Sequence, residues 1–202
     1  MNLTPSQLDI LQEIINIGVG RAANVLNEMI AAHIRLQVPA IKVLSRLDIK
    51  QELSARLRLE PISSVRLGFT GTLSGNAHLV FPTDSASKLV AILTDEEIGT
   101  PDLDAVKIGT LTEVGNIVIN GAIGSISNLL KQQLRYSMPA YIEGSIEQLL
   151  TNGSSSINAT ILLAQTRFTI DQLQVEGDII LFFNLGSFDI LLTSIEQYYG
   201  EC

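Results

Sequence analysis

Hydrophobic positions recur near the N-terminus at the spacing of a helix. Leu8, Leu11, Ile14, Ile15, Val19, Ala22, Val25 and Leu26 fall on one broad arc at about 100° per residue. Asp9, Glu13, Asn16, Gly20 and Asn27 fall on the opposite side. Thr4-Pro5-Ser6-Gln7 is a helix start: Thr4 can cap, Pro5 suits the first helical position, and Gln7 sits where a capping box needs it. The pattern predicts a helix from Pro5 to about His33, with Gly18 and Gly20 as weak points.

Beyond it the period changes. Leu36 to Val43 reads as extended around Pro39, and Asp48 to Leu59 as a weak helix. Val65, Leu67 and Phe69, then Ala77, Leu79 and Phe81, alternate with polar or small residues across Leu73-Ser-Gly75-Asn76, which predicts two strands and a turn. Asp84 to Leu93 reads as a helix, and Gly99-Thr-Pro101-Asp102 as a linker. The order then restarts. A second long helix is predicted over Val106–Leu134, extended chain around Pro139 and Tyr141, and a flexible loop over Thr151–Ser156. Strands follow at Ile157–Leu163 and Ile179–Phe183, and a helix at Phe188–Tyr198.

At an offset of 100, Leu11, Glu13, Asn16, Ile17, Ala22, Pro39 and Ala40 match Leu111, Glu113, Asn116, Ile117, Ala122, Pro139 and Ala140. With the matching element order, this points to an internal duplication. The expectation is an α+β, pseudo-two-fold single domain spanning 1–202, made of repeats at about 1–98 and 104–202. A mostly antiparallel sheet would carry the core, and the two long helices would lie outside with their polar stripes exposed.

Composition narrows the function classes. The chain is 46% hydrophobic and 17% charged, as a globular domain is. A net charge of −8 argues against a nucleic-acid partner, which needs clustered Lys and Arg. Cys202 is the single cysteine, so no intrachain disulfide forms and a reducing, cytoplasmic setting is expected. The N-terminus lacks a signal-peptide pattern, and no apolar run is long enough to insert in a membrane. The sequons at Asn152 and Asn158 then read as chance matches.

Glu13 and Asn16 are three apart, hence one turn apart on one helical face, and so are Glu113 and Asn116. A polar stripe on a single helix reads as a solvated face. This one recurs with Glu, Asn and Pro in register, while Gln12, Asn24 and Glu28 give way to Thr112, Gly124 and Asn128. Gly18-Val-Gly20-Arg-Ala-Ala23 matches a dinucleotide fingerprint in letters only, because helix rather than strand precedes it. Those glycines read instead as lowered bulk beside Asn16, for close approach by another protein. His33 and His78 have no ligand partner at metal-binding spacing, and no nucleophile elbow is present. An amide that both donates and accepts can still orient a water, and a carboxylate can pair with a partner's Lys. Those two groups suffice for phosphoryl hydrolysis if the partner supplies the phosphate and its metal.

Asp9-x3-Glu13-x2-Asn16-x22-Pro39, repeated as Glu113-x2-Asn116-x22-Pro139, resembles the signature of the CheC, CheX and FliY family of chemotaxis phosphatases. Length and doubled motif look most like CheC. The resemblance implies hydrolysis of the aspartyl phosphate of a CheY-like response regulator. It makes Asn16 and Asn116 the water-positioning groups and Glu13 and Glu113 the Lys-pairing groups. Asp9 is then a supporting position, and Pro39 and Pro139 are structural. It implies no intrinsic cofactor, with Mg²⁺ on the phosphorylated partner, and the deamidase CheD as a further partner. Gly109 departs from the pattern, which has Asp or Ser there, so more weight falls on the first copy. A non-enzymatic adaptor for a regulator or for CheD stays open, as does a hydrolase of small phosphorylated molecules, which would need an enclosed pocket.

Overall fold

A computed structural model describes residues 3–29, 33–57, 61–97, 103–153, 160–170 and 173–199. The first half runs α1 (Pro5–Met29), β1 (Ile34–Leu44), α2 (Arg46–Leu57), β2 (Ile62–Thr70), β3 (Gly75–Pro82) and α3 (Thr83–Leu93). The second runs α4 (Ala105–Leu129), β4 (Arg135–Tyr136), β5 (Ala140–Gly144), α5 (Ile146–Gly153), β6 (Thr160–Ile170), β7 (Leu173–Phe183) and α6 (Ser187–Tyr199). The long helices α1 and α4 thus begin and end 100 positions apart.

Local chemistry sets both starts. Thr4 N–H donates to Gln7 Oε1 (2.9 Å) and Gln7 N–H to Thr4 Oγ1 (3.2 Å), a reciprocal capping box. On α4, Asp104 Oδ1 accepts from the Val106 and Lys107 amides at 3.0 and 2.9 Å. Both helices are shorter than their periodicity predicts. Within the described residues α1 ends at Met29, and His33 lies outside it. α4 ends at Leu129 rather than Leu134, because Lys131 takes a left-handed φ of 51° and the Ser127 hydroxyl turns to the Gln132 carbonyl. The loop predicted from Thr151 is, up to Gly153, the last turn of α5. Residues 98–102 and 154–159, where the linker and the start of the penultimate strand were predicted, lie outside the described residues.

The sheet is antiparallel throughout, in the order β1-β6-β7-β3-β2-β4, with β5 also on β2. The α+β class and the antiparallel sheet agree with the sequence pattern. Each half lends its first extended segment to the other half's hairpin: β1 pairs with β6, and β4 and β5 pair with β2. At the centre, β3 meets β7 with Leu79 opposite Ile179.

Both faces of the sheet are covered, which is why β2 and β3 are buried almost continuously despite their alternating sequence. On one face α1, α3, α4 and α6 pack on Val65, Leu67, Phe69, Phe81, Phe168 and Phe183, among others. On the other, α2 and α5 cover Ile62, Val80, Leu163, Ile180 and Phe182. The long helices also pack on each other, so they are outer only along their polar stripes. Their crossing overturns part of the reading of the glycines. Gly18 is buried against Gly121 of α4, so its missing side chain admits this chain's own helix, whereas Gly20 faces open space.

Candidate functional site

α1 and α4 each bury one arc and turn the other outward. Asp9 and Glu13 are exposed on α1, as are Gly109 and Glu113 on α4. Neither Glu13 nor Glu113 is held in an ion pair among the described residues. Asn16 and Asn116 are half-buried, one turn further along. The helical spacing therefore puts each acid one turn from its amide, but the amides are not turned to solvent as the acids are, against the expectation that all four face outward.

The two prolines occupy equivalent irregularities. Between Gln37–Arg167 and Ala40–Gln165 the β1–β6 register gains one residue, so Val38 and Pro39 face Thr166 alone. Between Tyr136–Phe69 and Ala140–Arg66 the other edge also gains one residue, at the segment that contains Pro139. Proline has no N–H to give a ladder, so a bulge on an edge strand is where it fits.

The amides, however, are held differently. Asn16 Oδ1 accepts from the Val38 N–H at 2.8 Å, and its Nδ2 donates to the Val38 carbonyl at 3.1 Å. Gln12 Nε2 donates to the Val38 and Pro39 carbonyls, both at 3.1 Å. Asn27 makes the same two-sided clasp on Ile34, at 2.6 and 3.0 Å. Three amides of α1 thus occupy the free edge of β1, where an unpaired strand would otherwise be open to another chain. This is a structural use of Asn16 and Asn27, and of Gln12, that the helical pattern alone does not disclose.

On the other edge no such clasp forms among the described residues. Ser137 holds the bulge to β2 instead, its N–H donating to the Gly68 carbonyl (2.9 Å) and its Oγ accepting from the Gly68 N–H (2.8 Å). Val38 is 1% exposed, and its counterpart Met138 is 87% exposed. Asn116 Oδ1 accepts from Asn120 Nδ2 at 2.8 Å, and Asn116 Nδ2 is unpaired among the described residues. The half that keeps the full motif has its amide engaged on both sides, and the half with Gly109 has its amide open on one.

Neither histidine is bonded to the paired acids and amides among the described residues. His78 is buried on β3, with Nδ1 3.2 Å from the Ser64 hydroxyl. Burial, and then the Arg66 charge beside it, push its pKa down to about 3. It lines a small cavity with Ile62, Ser64, Ile142, Gly144, Ser145 and Leu149, which none of the paired acids and amides touches. His33 is exposed just before β1. Among the described residues no three His, Cys, Asp or Glu side chains gather as a metal centre would require, and no helix is long and apolar enough to cross a membrane.

Known proteins match the same features. Residues 7–43, which carry the first acid, amide and proline, match the CheC-like family profile. The "CheY-P phosphatase CheC" of Bacillus subtilis is 30% identical over 140 residues, 66% of this chain and 64% of that protein, so the match spans less than two thirds of the relative. Thermotoga maritima FliY superposes with a TM-score of 0.78 at 20% identity, over 100% of this chain and 99% of the other. CheX from Desulfovibrio desulfuricans gives 0.53 at 18% identity, over 85% and 99%. The two structural likenesses concern the fold. The profile match and the Bacillus relative make the chain similar to CheC in sequence, most clearly over the stretch that carries the first motif.

Proposed function

We propose that the protein hydrolyses the aspartyl phosphate of a CheY-like response regulator in chemotaxis or related two-component signalling. The observation that carries this is an exposed acid one turn from an amide on each long helix, with the Asn116 amide open at Nδ2 among the described residues. The likeness to the CheC-like family profile and the activity named for the Bacillus relative support it. In this reading the amide enters the regulator's phosphorylated pocket and aligns the attacking water through both its acceptor and its donor. The neighbouring carboxylate pairs with a lysine of the regulator. Magnesium sits on the regulator, where it balances charge on the phosphoryl oxygens. The chain would act in the cytoplasm, as two copies of one ancestral unit in a single domain. CheD is a further proposed partner.

The test is phosphate release from regulator charged with acetyl phosphate and Mg²⁺. Wild-type protein should speed release, and Asn16→Ala with Asn116→Ala should abolish the effect in a folded protein. Full activity in that double variant rejects the mechanism.

A second reading is that the first half docks the regulator without hydrolysis. The engagement of both sides of the Asn16 amide by Val38 favours it. Under this reading Asn16→Ala alone leaves release per bound regulator unchanged, while Glu13→Ala weakens binding.

A further inference from the structure

We propose that Asn120 is a positioning residue for Asn116, and that hydrolysis rests mainly on the second half. The inference depends on the phosphatase reading above. Asn116 and Asn120 lie one turn apart on α4, and Asn120 Nδ2 donates to Asn116 Oδ1 at 2.8 Å. A carbonyl oxygen has two lone pairs, so this bond leaves one for a water, and it leaves both Nδ2 hydrogens of Asn116. It also removes a choice. An unrestrained amide presents oxygen or nitrogen to the partner with little preference, whereas a donor fixed on one side sets which atom faces which way. Restricting that rotation before the partner arrives lowers the entropy lost in reaching the reactive geometry.

Two observations separate this from an incidental helix-surface pair. Asn120 Oδ1 is buried with no partner among the described residues, while Asn120 Nδ2 makes its bond to Asn116. A residue kept at such a cost calls for an explanation beyond packing. In the first half, position 20 is Gly, and a Cβ there would meet nothing within 4 Å. A side chain at this point of the helix is thus not needed to fill space. The first half places its amide by the Val38 backbone instead, which takes both the donor and the acceptor of Asn16.

The experiment is steady-state phosphate release from a CheY-type regulator charged with acetyl phosphate and Mg²⁺. Asn120→Leu keeps the branched shape and removes the donor, and Asn120→Gln keeps a donor. Asn120→Leu should lower kcat roughly three- to tenfold, the worth of one hydrogen bond, with KM within about twofold of wild type. Asn120→Gln should restore most of the rate. In an Asn116→Ala background Asn120→Leu should do nothing further, and Asn116→Ala should cost more rate than Asn16→Ala. Asn120→Ala serves if the Leu variant does not fold. Wild-type kcat in both donor-less variants, an equal loss in the Asn116→Ala background, or a larger effect of Asn16→Ala overturns the proposal. Those outcomes leave the phosphatase reading standing, because only full activity in the Asn16→Ala, Asn116→Ala double variant removes that.

Discussion

Gly121 of α4 lies so close to Gly18 of α1 that a Cβ on Gly121 would stand 2.6 Å from the Gly18 carbonyl oxygen and 3.0 Å from the Ala22 Cβ. The contact joins the two long helices, so it sets how the two stripes face outward. Neither backbone can withdraw without moving its helix off the sheet. Gly121→Ala should therefore destabilise by about 1–3 kcal/mol through overpacking. Gly20→Ala, where a Cβ meets nothing, should stabilise by roughly 0.5–1 kcal/mol, the ordinary preference of a helix interior for Ala over Gly. Urea midpoints at unchanged m-value measure both.

The unequal holding of the two amides predicts unequal stability effects. Asn16→Ala leaves the Val38 N–H without its partner and the Val38 carbonyl with Gln12 Nε2 alone, at a cost of about 1–3 kcal/mol. Asn116→Ala removes only one bond on a helix surface and should fall within about 0.5 kcal/mol of wild type. Removing Asn27 together with Asn16 strips two clasps from the β1 edge, and light scattering should report self-association that neither single variant shows. Equal urea midpoints for Asn16→Ala and Asn116→Ala would contradict the clasp.

Much of this frame could be read from the residues. Thr4 and Gln7 announce the start of α1, the apolar arc from Leu8 to Leu26 gives its buried side, and the offset of 100 relates the two stripes. Less could be read where the determinant is tertiary. α5 is an eight-residue helix, too short for its period to stand out from the loop composition that follows. Gly18 looks like spare room until α4 lies on it. The difference between Asn16 and Asn116 depends on whether the segment 22 residues on offers its backbone to the helix amide, as Val38 does. Identical spacing in both halves conceals that, and only Gly20 against Asn120 hints at it in the letters.

His78 makes the stability of the fold depend on pH. Its pKa is depressed from 6.5 to about 3 by burial and by Arg66, so it stays neutral in the folded state across that interval. The unfolded chain gains the proton as pH drops below about 6.5, and the folded chain does not. Stability is therefore unaffected by this group above 6.5 and falls as pH is lowered from there toward 3, by about 1.4 kcal/mol per unit at most. Between pH 7 and pH 5 the urea midpoint should drop in wild type. It should drop less in His78→Leu, whose side chain also fits the apolar wall formed by Ile62, Ile142 and Leu149. An equal drop in both proteins would mean that another group governs the response.

Glu13 and Glu113 give the sharpest separation of function from fold. Both are exposed, and neither is in an ion pair among the described residues, so removing either charge should change stability by less than about 0.5 kcal/mol. If each pairs with a lysine of the regulator, the loss appears in the encounter instead. Glu113→Gln should raise KM for phosphorylated regulator severalfold with a smaller change in kcat. It should also weaken the salt dependence of KM, because an exposed pair is screened once the Debye length falls to about 3–10 Å. Glu113→Lys, which sets like charges together, should raise KM further. The same changes at Glu13 should act more weakly if the second half is the working one. A KM that ignores both charge reversals would place the regulator somewhere other than these two helical faces.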